Sequence, residues 1–377
     1  MPPPRQFTFL EFFAGGGMAR LGLGGGWRCL FANDFDPMKR DAYAANFGLE
    51  HFHGGDISAV TLTDLPSEPA DLAWASSPCQ DLSLAGARAG LGARRSGAFF
   101  GFWRIVETLC AAARSPRLIV IENVAGLLTS NDGADFVAVV SLMASRGYVI
   151  GALVLNAAAF VPQSRPRLFI VARRRADGDD WPRVRPADDG APQALLDAVA
   201  KLGRSAKASW RWIDARPQAE RVVSLADILE EGAPFDPHRV TMARLAAMAP
   251  RQRDQVNRLA ASGDRHVGAA FRRIRVEAGV KHARVEARFD GIAGCVRTPA
   301  GGSSRQIIFE IDGGRIRSRL MTPREAARAM GLGEDYRLPN RATAALKLVG
   351  DGVSPPVVAF LARTVLEPAL HARRAAA

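Results

Sequence analysis

Four short stretches hold residue types that can do chemistry together: Phe13-Ala14-Gly15-Gly16-Gly17, Ser76-Ser77-Pro78-Cys79-Gln80, Glu122-Asn123-Val124 and Gln163-Ser164-Arg165-Pro166-Arg167. A cysteine in a proline-flanked loop can attack as its thiolate, although most free cysteines are small buried hydrophobes. Cys29, Cys110 and Cys295 fit that second description and receive no role. Glu122 can protonate or hydrogen-bond a bound base, and a solvated strand-end glutamate is the commoner case. Gln163, Arg165 and Arg167 alternate, so an extended segment puts them on one face.

The glycines after Phe13 let the backbone come close to a ligand. A dinucleotide site wants a third glycine where this chain has Arg20, so the NAD pattern fails. Asp34 suits a ribose diol and Phe35 offers a stacking face for adenine. A nucleoside cofactor without a pyrophosphate fits better, and S-adenosylmethionine is the candidate.

These residues need a scaffold, and the hydrophobic pattern supplies one. Residues 7–13, 27–34, 71–77, 117–123, 147–156 and 167–173 are short apolar runs, several without polar alternation, as strands buried on both faces should be. Helical spacing recurs between them at Ala19–Leu23, Met38–Phe47, Phe99–Ala113 and Asp135–Ser145. The alternation predicts a parallel, doubly wound α/β sheet with ligands at the strands' carboxyl ends. From Ala176 to about Gly291 strand periodicity fades, with short helices predicted at Pro192–Leu202 and His238–Met248. Thr322, Pro323 and Glu325 form a capping box for a helix over 323–330. A last helix, Pro355–Leu366, is expected after a turn at Gly350-Asp351-Gly352.

The chain has 377 residues, 48% of them hydrophobic, enough for one large α/β domain or two domains. Its four cysteines form neither a disulfide framework nor a zinc pattern, which predicts a reducing compartment and no metal. No apolar run reaches the ~18 residues of a membrane span. The net charge is +12, but only five of the 50 basic residues are lysine, so an arginine-rich compositional habit accounts for part of it. Distribution says more. Residues 173–238 carry 11 basic and 12 acidic side chains, whereas 239–319 carry 17 and 7, a net of +10. A polyanion-binding surface needs such a local excess. Within it, Arg297, Ser303, Ser304, Arg305 and Gln306 suit a phosphate backbone or a base edge. An ordinary Gly-Ser turn between strands would read the same.

Together with Arg319–Gly331 and Gly350–Val353, the four stretches resemble, in order and rough spacing, the motifs of the cytosine-5 DNA methyltransferases. The resemblance covers 7–173 and about 289–366; the middle lies where that family keeps its variable target-recognition region. It implies a Rossmann-like AdoMet-dependent α/β domain over 1–173, a smaller, irregular recognition domain over 174–318, and a C-terminal segment over 319–377 that returns to the first. It also implies that Cys79 attacks C6 of a flipped cytosine, Glu122 contacts N3 and the exocyclic amine, and Arg165 and Arg167 fix Glu122 and O2. S-adenosylmethionine would meet Phe13, Gly15, Gly16, Gly17, Asp34, Phe35, Asp56, Ile57, Pro78, Asp351 and Val353. Residues 80–100 would close over the base, with Gln80, Ser83, Arg88, Arg94 and Arg95 on DNA. Asp351 replaces the usual Asn, and Arg95-Ser96-Gly97 the usual Arg-Gly pair.

The implied activity is a sequence-specific DNA (cytosine-5-)-methyltransferase using S-adenosylmethionine. The expected partners are double-stranded DNA and, in a restriction–modification pair, a cognate endonuclease. A bacterial-type enzyme is expected, since little chain precedes the first strand, placed in the cytoplasm with the nucleoid; a monomer is expected because one base is flipped per event. A tRNA-methylating branch shares the motifs, but its Cys-Phe-Thr signature is missing here. A catalytically inactive DNA-binding relative is the other alternative, against which the intact motif residues argue.

Overall fold

Uninterrupted apolar runs become the central strands of a seven-stranded sheet. The computed structural model describes residues 6–77, 97–186, 190–217, 221–277, 279–298 and 305–371. The strands are β1 (Phe7–Phe12), β2 (Trp27–Asp34), β3 (Phe52–Gly54), β4 (Leu72–Ser76), β5 (Leu118–Val124), β6 (Tyr148–Asn156) and β7 (Pro166–Arg174), in the order 3-2-1-4-5-7-6. β1 to β5 run parallel. β7 runs antiparallel to β5, which corrects the all-parallel expectation. The link from β6 to β7, residues 157–165, is shorter than the dozen or so residues a parallel crossover needs. The six expected strands are present; the three-residue β3 is too short to show a period.

The helices α1 (Met18–Leu23), α2 (Pro37–Phe47), α3 (Ala98–Ala111) and α4 (Ala134–Ser145) match the expected spacing. Both α5 (Gln193–Ala200) and α6 (Arg204–Ser209) belong with this sheet, the second unforeseen. One core joins Phe12, Ala75, Phe102, Ile121, Phe136 and Ile170.

The chain divides into two compact units. The first is Met1–Leu155, Pro166–Gln218 and Val357–Ala377; the second is Asn156–Arg165 and Ala219–Pro356. These divisions differ from the expected boundaries at 173/174 and 318/319. The first sheet keeps 174–218, and of the expected returning segment only the part from Val357 goes back to it.

The second unit is less irregular than expected. Its strands β8 (His266–Glu277), β9 (Val280–Arg288), β10 (Ile307–Asp312) and β11 (Arg315–Leu320) form an antiparallel sheet in the order 11-10-8-9. Helices α7 (His238–Ala246) and α8 (Pro250–Ala261) supply Leu245, Met248 and Val256 to a core with Ala270, Val285, Ile307, Phe309 and Ile311. Ahead of α9 (Pro323–Ala329) the predicted capping box is made: Glu325 N–H donates to Thr322 Oγ1 at 3.1 Å and Thr322 N–H to Glu325 Oε2 at 2.9 Å.

Gly350 and Asp351 are not a free turn but the last turn of α10 (Ala342–Asp351). Helix α11 (Pro355–Leu361) continues through a π turn, Ala362–Leu366, into α12 (Glu367–His371). By length and composition Ala342–His371 could cross a membrane, but 61% of its most apolar window is buried in the protein, as in a core helix.

Candidate active site

Because β1 to β5 are parallel, their carboxyl ends share one edge of the first unit. At the end of β1 the chain turns sharply through Phe13 (φ 58°), Gly15 (φ 57°) and Gly17 (φ 75°). A left-handed conformation is uncommon for a phenylalanine. A Cβ on Gly17 would lie 2.4 Å from the Phe47 ring, so that position requires glycine. A Cβ on Gly15 would meet nothing within 4 Å, which leaves its face of the turn open.

Asp34, at the end of β2, ties this turn down. One carboxylate oxygen accepts the Gly15 N–H and the other the Asp36 N–H, both at 2.9 Å. Each oxygen keeps a second lone pair for a ribose hydroxyl.

Beside the turn lies a cavity of ≈ 720 Å³ lined by Phe13, Phe35, Asp56 and Ile57 of the expected set. The size suits a nucleoside-bearing ligand. Phe35 is 70% exposed, its ring face free for stacking. The Ser58 hydroxyl and amide hold the Asp56 carboxyl below the usual carboxylate range, the amide donating at 2.7 Å, so an anion faces the cavity. The far wall is α3, through Phe100, Trp103 and Arg104, which sequence reasoning missed. Arg104 donates to the carbonyls of Ile57, Ser58 and Val60 at 2.9–3.2 Å and fixes that segment. An aromatic face, an apolar floor and a carboxylate fit the adenosine part of S-adenosylmethionine.

The ends of β4 and β5 carry the second half of the site. Ser76 pairs in register with Glu122. Asn123 Nδ2 donates to the Ser77 carbonyl at 3.0 Å and so anchors the start of the Pro78-Cys79 stretch. The buried Glu122 carboxylate is held by Arg167 Nε at 3.1 Å. Pro78, Cys79, Gln80, Ser83, Arg88, Arg94, Arg95, Ser303 and Ser304 lie outside the described residues. Cys29 is no competing nucleophile, since burial pushes its thiol up to about 12.

The three alternating residues do not act as one face. Arg167 stands on β7 at Glu122, whereas Gln163 and Arg165 belong to the second unit and are buried there. Gln163 bonds the Ala329 carbonyl at 2.9 Å and accepts the Val296 N–H at 2.8 Å. Arg165 donates to the carbonyls of Val296, Gly350 and Gly352 at 2.7, 2.9 and 2.7 Å. This clamp joins the end of α10 to residues 295–298.

In the same place Asp351 accepts the Thr298 hydroxyl, and Val353 is buried. Arg297 is exposed, and Arg305 reaches the Met321 carbonyl at 3.5 Å. Gln306, expected at a base edge, is buried instead, its amide on the Cys295 carbonyl at 3.4 Å.

One carboxylate was not foreseen. Glu11, inside β1, is 1% exposed, and burial pushes its carboxyl up to about 8. Its Oε1 accepts the Arg20 N–H at 3.4 Å, and its Oε2 has no partner among the described residues.

The family model for C-5 cytosine-specific DNA methylases matches residues 7–367. The chain belongs to that family. Among its methylase relatives, Type II methyltransferase M.BsuFI of Bacillus subtilis is 34% identical over 168 residues, 44% of this chain. That match spans only 39% of the Bacillus protein's length. Type II methyltransferase M.HpaII of Haemophilus parainfluenzae is 25% identical over 380 residues, covering 96% of this chain and 90% of its own. The S. pombe Dnmt2 methyltransferase structure shares the methylase fold with a TM-score of 0.58 at 20% identity, covering 96% of this chain and 99% of that one.

Proposed function

We propose that this protein is a DNA (cytosine-5-)-methyltransferase that transfers a methyl group from S-adenosylmethionine to C5 of one cytosine in a specific duplex sequence. One observation carries the reading. The adjacent parallel strands β1, β4 and β5 end on one edge, bringing the glycine turn and its cavity, the approach to Cys79 and the Arg167-held Glu122 together. DNA as substrate is supported by the Type II methyltransferase relatives and by the +10 charge of residues 239–319. We also propose that it works as a monomer in the bacterial cytoplasm, with or without an endonuclease of the same specificity.

In this reading Phe35 stacks on the adenine, Asp56 takes its amine and Asp34 the ribose hydroxyls. When bound, S-adenosylmethionine supplies an electrophilic methyl group. C5 of cytosine is a weak nucleophile until C6 is attacked. The Cys79 thiolate forms a bond to C6, and the ring electrons shift to make C5 nucleophilic. Glu122, oriented by Arg167, hydrogen-bonds the N3 side and the exocyclic amine and stabilises the charge that develops there. Loss of the C5 proton to a base then expels the Cys79 thiolate and restores the double bond. Stacked cytosine cannot reach these groups, so the base leaves the helix at a cost of a few kcal/mol.

The test is methyl transfer from labelled S-adenosylmethionine to genomic DNA and to tRNA, with bisulfite mapping of the DNA product. Label only in tRNA overturns the reading. A 5-fluorocytosine duplex bearing the mapped site should trap a covalent adduct with the protein but not with C79S.

A further inference from the structure

We propose that the β8–β9 hairpin is a DNA-docking arm that lies in a groove of the duplex, arginines on the phosphates and aliphatic side chains against the sugar edges. The inference rests on the duplex-DNA reading above and names a contact surface within it.

The geometry comes from the strand pairing. β10 pairs with β8 only from His266 to Ala270, while β9 stays paired with β8 to the end of the hairpin. Beyond Ala270 a two-stranded ribbon is left, seven residues of β8 long, or about 23 Å at ~3.3 Å per residue. Residues 272–276 of β8 are all exposed; on β9 Val285, opposite Arg272, is still buried in the core, so the ribbon leaves the body of the unit beyond that pair. Two strands about 4.8 Å apart form an element that a ~12 Å major groove admits.

The two faces differ in chemistry. Alternation and register put Arg273 and Arg275 with Arg284 and His282 on one face. Glu286 joins Arg275 at 2.6 Å and Arg273 at 3.5 Å, one carboxylate shared by two guanidinium groups. Arg273 also stacks over Phe271 at 4.6 Å, which preorganises it. Arg273 and Arg284 sit directly opposite each other across the strands. The other face carries Ile274 and Val276, 64% and 66% exposed, set between Arg272 and Lys281. Branched aliphatic side chains held in water on a basic ribbon suit an apolar surface lying between phosphates, and the deoxyribose edges of a groove are one. The hairpin from Arg265 to Arg288 has seven basic and two acidic residues, a net of +5.

The experiment measures binding of the full-length protein to a duplex carrying its mapped site, over roughly fourfold in salt. Each phosphate contact contributes about 0.9 to the slope of log K against log salt. R273A/R275A/R284A should make the slope shallower by about 2–3, whereas R273K/R275K/R284K should keep it. I274S/V276S should bind severalfold more weakly at unchanged slope. Thermal unfolding of each variant at the wild-type midpoint confirms that surface contacts alone were removed. If the alanine variant keeps the wild-type slope while wild type methylates DNA, the docking arm is overturned and the methyltransferase reading stands. Wild-type affinity in I274S/V276S overturns the aliphatic contact. A wild-type protein that neither binds nor methylates duplex DNA overturns both readings.

Discussion

Replacing Glu11 with glutamine isolates one buried titration from every other pH effect in the protein. The carboxyl rises from 4.5 to about 8, chiefly because burial disfavours its charged form, with the nearby Asp34 charge adding to the shift and Arg20 opposing it. Between those two values the native state keeps the Glu11 proton and the unfolded chain has lost it. The native state therefore binds more protons, and stability falls as pH rises through that window. Each unit of difference is worth about 1.4 kcal/mol, so by pH 7 the wild type has lost about 3 kcal/mol relative to pH 4.5 on this account. Glutamine has the same shape and no such titration. Urea unfolding of wild type and Glu11→Gln at several pH values from 5 to 8 gives two stability curves whose difference cancels the other ionisable groups. That difference should grow in favour of the variant by about 2–3 kcal/mol between pH 5 and pH 7 and level off above pH 8. An unpaired amide adds a constant offset and leaves the slope alone. Parallel curves would refute the reasoning, because Glu11 would then ionise alike in both states.

Four more outcomes follow from the geometry. Arg165→Ala should cost about 3–5 kcal/mol in urea unfolding, because two buried carbonyls and a half-buried one lose their donor. Arg167→Ala should instead cut the methyl-transfer rate on the order of 100-fold with a smaller stability loss, since it frees Glu122 to move. Gly350→Ala should unfold the second unit at lower temperature in calorimetry, as its Cβ would lie 2.3 Å from Thr298 N and 2.5 Å from the Arg297 carbonyl carbon. Charge reversals within 239–319 should weaken duplex binding and flatten its salt dependence, while equal reversals within 176–236 do little in the same titration.

The parallel strands were legible because each buries both faces and so reads as an unbroken apolar run, as in Leu118–Ile121. The second sheet was not. In β11 the sequence RIRSRL gives one face to three arginines, and in β8 apolar alternation continues past the core into solvent. Arginine-rich strands look like loops to a hydrophobicity pattern. Residue types pointed to the glycine turn, Phe35 and Glu122 because each stands at or just after a strand's carboxyl end, a place topology determines, whereas Asp56, after the three-residue β3, came only from the family resemblance. Spacing did not separate the roles of Arg165 and Arg167, since the partners of Arg165 lie 131 to 187 positions further along the chain. Phe100 and Trp103 were hidden for the opposite reason: aromatic residues at helical spacing read as core.

The discontinuous first unit has a consequence for how the protein is made. Its last described piece, from Val357 to His371, contributes Glu367 to the Trp27 indole at 3.0 Å and the Leu370 carbonyl to Arg117 at 3.0 Å. About 140 residues separate that piece from Gln218. At roughly 5–20 residues per second the ribosome needs on the order of ten seconds to span them. For that time β1 and β2 lack this cover, while the intervening unit can fold first. Slowing translation after codon 218 should therefore raise aggregation of the nascent chain without touching the stability of the finished protein.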